Sequence, residues 1–249
     1  MLLIDLGNTR FKAAFADDLD RTWVVVRDGQ DVSTAVAELL DCCYRMPNQL
    51  VVSCVGDQAS AAEVITQGKA LWGLTAERLV AGESFGALIN GYAIPQSLGI
   101  DRWAAIVAAW HRVKGAVVVV DCGTAVTVDT IETGGQHLGG VIFPGLQLST
   151  DSFYRQTHNV VGATGEVRRP FADNTADAVN SGVRWAVAGG INEVLNAIFS
   201  RFQSEVPVLL TGGDAAELQP LIHAQTQQVD NLVFQGMALM GGFEQGTQT

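Results

Sequence analysis

The chain has 249 residues, 48% of them hydrophobic and 16% charged, which is enough apolar material for one large core or two modest ones. A formal charge of -11 with no basic run argues against a surface for nucleic acid or anionic membrane, since both want clustered Lys and Arg. The four cysteines, Cys42, Cys43, Cys54 and Cys122, lack metal-type spacing and are expected as buried thiols in a reducing cytosol. Met1 leads straight into a strand-like run with no cationic leader, and no apolar stretch is long enough for a bilayer, so a soluble cytoplasmic protein is expected.

The first apolar run ends in Asp5-Leu6-Gly7-Asn8-Thr9 and resumes as Arg10-Phe11-Lys12-Ala13-Ala14-Phe15. Short apolar runs either side of such a turn read as a hairpin. Thr22 to Arg27 reads as a third strand. Asp31-Val32-Ser33 opens a helix to about Arg45, with Val32, Val36, Leu39 and Leu40 on one face. Leu50 to Val55 reads as a short buried strand, and an Ala-rich helix runs from about Gln58 to Trp72. Strands alternating with helices predict an α/β sheet, and the opening hairpin makes it mixed.

From Ala81 to Leu98 the pattern dissolves into Gly82, Gly86, Gly91, Tyr92 and Pro95, a loop too long for a plain connector and therefore a candidate binding loop. It delivers Gly99-Ile100-Asp101-Arg102 to a helix whose Trp103, Ile106, Val107 and Trp110 share a face, with His111, Arg112 and Lys114 at its cation-favouring end. Asp101 can be an N-cap. An acid and a base side by side at the lip of this loop also suit a site that deprotonates one group and holds an anion. In so acidic a chain the local cations Lys12 and Arg102 gain interest.

Val117 to Val120, Asp121-Cys122-Gly123-Thr124, and a strand to Ile131 repeat the plan of the first hairpin. Glycine lets backbone N–H groups approach closely and Thr124 adds a hydroxyl, so the turn can hold a phosphate. Asp121 cannot bind phosphate directly and implies a cation beside it. The echo of the two hairpins predicts two halves of related build, residues 1–114 and 115–249, offering their turns to one cleft. Gly139-Gly140 point to a turn or a close backbone approach, and a strand ends at Pro144-Gly145 before a helix near Leu146. Thr157 to Ala172 is irregular and carries Arg168 and Arg169. Asn174 and Thr175 open a long helix to about Phe202, interrupted near Gly189-Gly190. Val206 to Leu210 is a strand ending in Thr211-Gly212-Gly213-Asp214-Ala215, a strand-to-helix turn suited to a nucleotide base or ribose. Leu232 to Phe243 closes as a helix, and a frayed tail follows from Gln245.

The ordered set Asp5-Leu6-Gly7-Asn8-Thr9, Gly99-Ile100-Asp101-Arg102, Asp121-Cys122-Gly123-Thr124-Ala125, Gly139 to Gly145, Asn174 to Ala178 and Thr211 to Ala215 resembles the type III pantothenate kinases, over essentially the whole chain. The resemblance implies two ribonuclease-H-like domains of the actin-like ATPase type, each a mixed sheet flanked by helices, and ATP-dependent phosphorylation of pantothenate. It implies that Asp5, Leu6, Gly7, Asn8, Thr9, Arg10, Phe11 and Lys12 form a first phosphate loop, with Asp5 positioning magnesium. It also implies that Thr124 binds phosphate, that Asp121 holds potassium or ammonium, and that Asp101 is the general base. Tyr92, Gly99, Ile100, Arg102 and Thr175 would touch pantothenate, and Thr211 to Ala215 would lie near adenosine. A homodimer whose pocket borrows residues across the interface is implied as well. Cys122 departs from a bulkier residue frequent in the family, and Glu132 and His137 fall in a variable hairpin tip.

The chemistry fits these residue types, because phosphoryl transfer asks a protein mainly to align the reactants and neutralise charge. A sugar or polyphosphate kinase or phosphohydrolase of the same superfamily is a second reading. A glycine-rich loop with Tyr92 matches a sugar pocket less well than a row of Asp, Asn and Glu would. A non-catalytic nucleotide-binding regulator is a third, and predicts loss of Asp101 or Asp121, both of which are present.

Overall fold

The computed structural model describes residues 1–27, 29–156 and 171–243. Most of the stretch carrying Arg168 and Arg169, and the expected tail from Gln245, lie outside these residues. The chain divides into two compact units, one of Met1–Gly115 and Thr133–His137 with the segment from Asn231, the other of Ala116–Glu132 and Leu138–Asp230. The expected split near 114 thus differs in two places: the tip at 133–137 and the last helix both belong with the first unit.

In the first unit β1 (Leu2–Leu6) and β2 (Arg10–Phe15) form the expected hairpin, and β3 (Asp18–Val26) begins earlier than its apolar residues indicate because only a two-residue turn separates it from β2. Helix α1 (Val32–Asp41) is capped by Asp31, which accepts from the Thr34 amide, and ends at Cys42, short of Arg45. After β4 (Leu50–Cys54), α2 (Gln58–Trp72) runs between an Asp57 cap and the left-handed Gly73, as the sequence predicts. Strand β5 (Glu77–Arg78) completes a sheet of order β3-β2-β1-β4-β5. The β1–β2 and β2–β3 pairs are antiparallel, while β1–β4 and β4–β5 are parallel. Leu2, Ile4, Leu6, Phe11, Ala13, Phe15, Leu50 and Val52 form one core with Ala35, Val36 and Leu39 of α1 and Val64 of α2.

The binding-loop region holds a small hairpin, β6 (Ser84–Phe85) and β7 (Leu88–Ile89), and leads into α3 (Ile100–Val113). Helix α3 is buried well beyond the expected apolar stripe, from Ile100 through Ala109 apart from Asp101. Its cover is α7 (Leu232–Met240), which packs on it so closely that a Cβ on Gly236 would lie 1.8 Å from the Ala104 carbonyl oxygen.

The second unit repeats the plan. Strands β8 (Val117–Cys122), β9 (Ala125–Ile131) and β10 (His137–Pro144) are followed by α4 (Leu146–Gln156), α5 (Thr175–Phe202), β11 (Val208–Thr211), the short α6 (Ala215–Leu218) and β12 (Thr226–Gln228). The sheet order is β10-β9-β8-β11-β12, with β8–β9 antiparallel and β8–β11 and β11–β12 parallel. Val118, Val120, Val126, Val128, Val208 and Leu210 form a core with Val187, Ile191 and Leu195 of α5. The expected interruption at Gly189-Gly190 does not occur. Two glycines cost a helix only about 1 kcal/mol each, and Gly190 lies against the Phe143 ring.

The four cysteines are free. Only Cys122 is buried as expected; Cys43 and Cys54 are half-buried, and Cys42, the C-cap of α1, is exposed. Among the described residues no helix is long and apolar enough to cross a membrane.

The α3–α7 approach yields a test. Gly236→Ala is expected to lower the unfolding free energy by about 3 kcal/mol, because backbone rather than a mobile side chain must give way; urea denaturation measures the loss.

Candidate active site

Asp5 is the penultimate residue of β1, in register with Lys12 of β2 and Ser53 of β4. The Ser53 hydroxyl donates to Asp5 Oδ1 at 2.9 Å. Burial, and next the negative charge of Asp101, push the Asp5 carboxyl up to about 6, against the opposing pull of Lys12 and the Ser53 hydrogen bond. Beyond it the turn is tight: Gly7 N–H donates to the Arg10 carbonyl at 3.1 Å, and a Cβ on Gly56 would lie 3.3 Å from the Gly7 carbonyl oxygen. Of the residues expected in this phosphate loop, Asn8, Thr9 and Arg10 are exposed and Lys12 is half-buried. Leu6 and Phe11 have fully buried side chains, so they can offer only backbone.

The start of α3 is built differently from the N-cap reading of Asp101. The cap is Gly99, and Asp101 sits in the first turn, where Oδ1 accepts from the Arg102 amide at 2.7 Å. A carboxylate here is favoured by the positive end of the helix dipole. A Cβ at position 99 would come within 2.6 Å of Asp101 Oδ1, so a larger residue there would force that carboxylate to turn. Arg102 is buried, a costly place for a guanidinium without partners, and its Nη1 donates to the Tyr92 hydroxyl at 2.8 Å. Ile100 is buried beside it. The first unit therefore brings Asp5, Lys12 and Asp101 into one electrostatic group, with Arg102 and Tyr92 beside Asp101.

Two residues of this site escaped the sequence reading. Buried Asn90 braces the loop: its Nδ2 donates to the Gly82 and Pro95 carbonyls (3.0 and 3.2 Å) while its Oδ1 accepts from Tyr92 N–H at 3.0 Å. His137 is fully buried rather than lying in an open tip, and its ring stacks on Tyr92 with centroids 6.1 Å apart. An Asn among glycines is a usable loop signal. Nothing local marks His137, which becomes part of the site only through folding. Glu132, the other tip residue, pairs with Arg201 at 3.0 Å in the second unit.

In the second unit Asp121 is the penultimate residue of β8, in register with Thr127 and Thr211. Gly123 N–H donates to the Ala125 carbonyl at 3.2 Å, leaving Thr124 exposed at the turn. Glycines from two other segments lie against this turn. A Cβ on Gly145 would be 2.3 Å from the Gly123 carbonyl oxygen, and one on Gly212 (φ +97°) would be 2.4 Å from the Cys122 carbonyl oxygen and 2.5 Å from Asp121 Oδ1. Gly139, by contrast, has a φ of +97° with nothing near its missing Cβ, so it serves backbone conformation and not close approach. Burial, followed by the charges of Asp121 and Asp214, pushes the Cys122 thiol up to about 12. The turn after Thr211 leads only into the four residues of α6. Thr175 opens α5 and is exposed, next to an Asn174 cap that accepts from the Asp177 amide at 3.0 Å.

A family model described as type III pantothenate kinase matches residues 1–197. The chain belongs to this family. The type III pantothenate kinase of Albidiferax ferrireducens is 34% identical over 247 residues, covering 96% of each chain. That of Methylobacillus flagellatus is 44% identical over 160 residues, 61% of this chain and 64% of its own. Among solved structures, a Baf family protein from Campylobacter jejuni shares the fold with a TM-score of 0.60 at 21% identity, over 97% of this chain and 99% of its own. The fold of this pantothenate kinase family member, shared with that structure, is two mixed sheets flanked by helices, as expected.

The donor set bears on which cations the site could hold. Among the described residues no three His, Cys, Asp or Glu side chains form a metal cage. Asp5 offers a lone carboxylate of the kind through which magnesium is held together with substrate phosphates. The second unit offers hard oxygens at Asp121 and the Cys122 carbonyl, which suit an alkali cation.

The raised Asp5 carboxyl gives a stability test. Between about pH 4 and 6 the folded chain binds the extra proton, so stability falls as pH rises through this window. Asp5→Asn is expected to raise the unfolding free energy of the ligand-free protein at pH 7.5 by about 1–2 kcal/mol, a gain that vanishes below about pH 4. Urea titrations at the two pH values measure it.

Proposed function

We propose that this protein transfers the γ-phosphoryl group of ATP to the primary hydroxyl of pantothenate, giving 4'-phosphopantothenate in the first step of coenzyme A biosynthesis, in the cytoplasm. The observation that carries the reading is the start of α3, where the Asp101 carboxylate, oriented by the Arg102 amide, stands beside a buried Arg102 and Tyr92.

Asp101 orients the pantothenate hydroxyl and takes its proton as the new O–P bond forms and the bond to the ADP leaving group breaks. It need not be a strong base, because in a loose transition state the proton leaves late. Arg102 holds the substrate carboxylate by a charge-assisted hydrogen bond, and Tyr92, Gly99 and Ile100 shape the surrounding pocket. Thr175 is assigned to the same substrate. The amides of the Gly7 turn, with Asn8, Thr9, Arg10 and Lys12, bind phosphate.

Asp5 holds magnesium, which neutralises charge on the phosphate oxygens when bound. In the second unit Thr124 binds phosphate and Thr211 to Ala215 lies by the adenosine. Asp121 holds potassium or ammonium, compensating for the few Lys and Arg of so acidic a chain.

A homodimer is part of the same reading. In the second unit Val141 and Ile142 on β10, Leu148 and Phe153 on α4 and Trp185 on α5 are all exposed apolar side chains, the composition of an interface.

Purified protein with ATP, magnesium and pantothenate is expected to turn over with potassium or ammonium and poorly with sodium, a difference that Asp121→Ala abolishes. Asp101→Asn is expected to lower kcat about 10²- to 10³-fold with pantothenate KM little changed. Undiminished turnover in that variant removes Asp101 as the base, and no phosphorylation of pantothenate by the parent protein removes the function.

A further inference from the structure

The tip between β9 and β10, Thr133–His137, packs with the first unit. Gly135, at a φ of +87°, accepts from Ile89 N–H at 2.9 Å, and a Cβ there would sit 2.5 Å from the Ala87 carbonyl oxygen. Gln136 bridges to Ile89 in parallel register. This seats His137 under the loop that carries Tyr92.

Tyr92 is held at three points. Its N–H donates to Asn90 Oδ1, which fixes where the side chain leaves the backbone but not how the ring is turned. Its hydroxyl accepts from Arg102 Nη1, and the guanidinium carbon lies 5.6 Å from the ring centroid on the ring's face. The His137 ring, stacked at an interplanar angle of 14° in the offset range that aromatic pairs favour, is the flat surface that sets the plane alongside that guanidinium. His137 Nδ1 also accepts from Gly91 N–H at 3.4 Å, tying down the residue before Tyr92.

We infer that His137 is a positioning residue for the pantothenate pocket: its buried ring fixes the Tyr92 phenol, which in turn aims the Arg102 guanidinium before the substrate carboxylate arrives. The inference rests on the assignment of Tyr92 and Arg102 to pantothenate given above. Arg102 is a long side chain that would otherwise lose freedom on binding, and ordering it in advance strengthens binding without a new contact to the substrate. The effect therefore falls on pantothenate affinity, not on the chemical step.

Two replacements keep the buried site filled, so both are expected to fold. His137→Leu removes the flat ring and is expected to raise pantothenate KM about tenfold, with kcat and the KM for ATP within about twofold of the parent. His137→Phe keeps the stack and is expected to stay within about threefold of the parent in pantothenate KM. Adding His137→Leu to Tyr92→Ala is expected to raise pantothenate KM no further, since the ring it positions is gone.

Equal losses in kcat and both KM values for Leu and Phe alike would show a merely structural histidine and overturn the inference, as would effects that multiply in the double variant. A strong Tyr92→Ala effect beside a silent His137→Leu removes His137 alone. Unchanged pantothenate KM in Tyr92→Ala removes Tyr92 from the substrate pocket, and the role of His137 with it.

Discussion

A carboxylate one residue from the end of a buried central strand is the constraint from which both units of this protein are built. Asp5 ends the row Leu2, Leu3, Ile4, and Asp121 ends the row Val117 to Val120, all fully buried or nearly so. Because side chains alternate along a strand, slipping either strand by one residue would carry the carboxylate to the opposite, equally packed face of the sheet and away from its polar neighbours. Their neighbours in register are polar: Lys12 and Ser53 about Asp5, Thr127 and Thr211 about Asp121. A half-buried carboxylate so placed is held at the lip of a glycine turn, where the proposed cation and phosphate would sit.

The turns themselves depend on what is missing from glycine. Gly145 and Gly212 bring two further backbone segments within van der Waals range of the Asp121 turn, and Gly99 leaves room for the Asp101 carboxylate. Gly236 does the same for the packing of α7 on α3, the helix that carries Asp101 and Arg102. These close approaches fix the proposed catalytic groups with little freedom, which suits a reaction whose catalysis is mainly alignment and charge neutralisation. The net charge of -11 makes the local placement of Lys12 and Arg102 central to the proposed binding of anions, since the molecule as a whole repels them.

Much of this was legible in the order of residues. Local rules gave the two hairpins, the span of α2 from Gln58 to Trp72, the Asn174 cap of α5 and the existence of α3, because caps, turns and apolar periodicity act within a few residues. The acid–base pair Asp101-Arg102 and the echo of Asp5 in Asp121 were visible for the same reason, and so was the family.

What only the tertiary structure decided were contacts between residues far apart in the chain. The return of α7 to the first unit, the unbroken α5 across Gly189-Gly190, and the choice of Gly145 and Gly212 over Gly139 as close-approach sites all depend on packing from distant segments. His137 is the sharpest case, lying 45 positions after Tyr92 in the chain. Read alone it is one polar residue at a hairpin tip. Only the docking of that tip on the loop, through Gly135 and Ile89, makes it the base on which the Tyr92 ring rests.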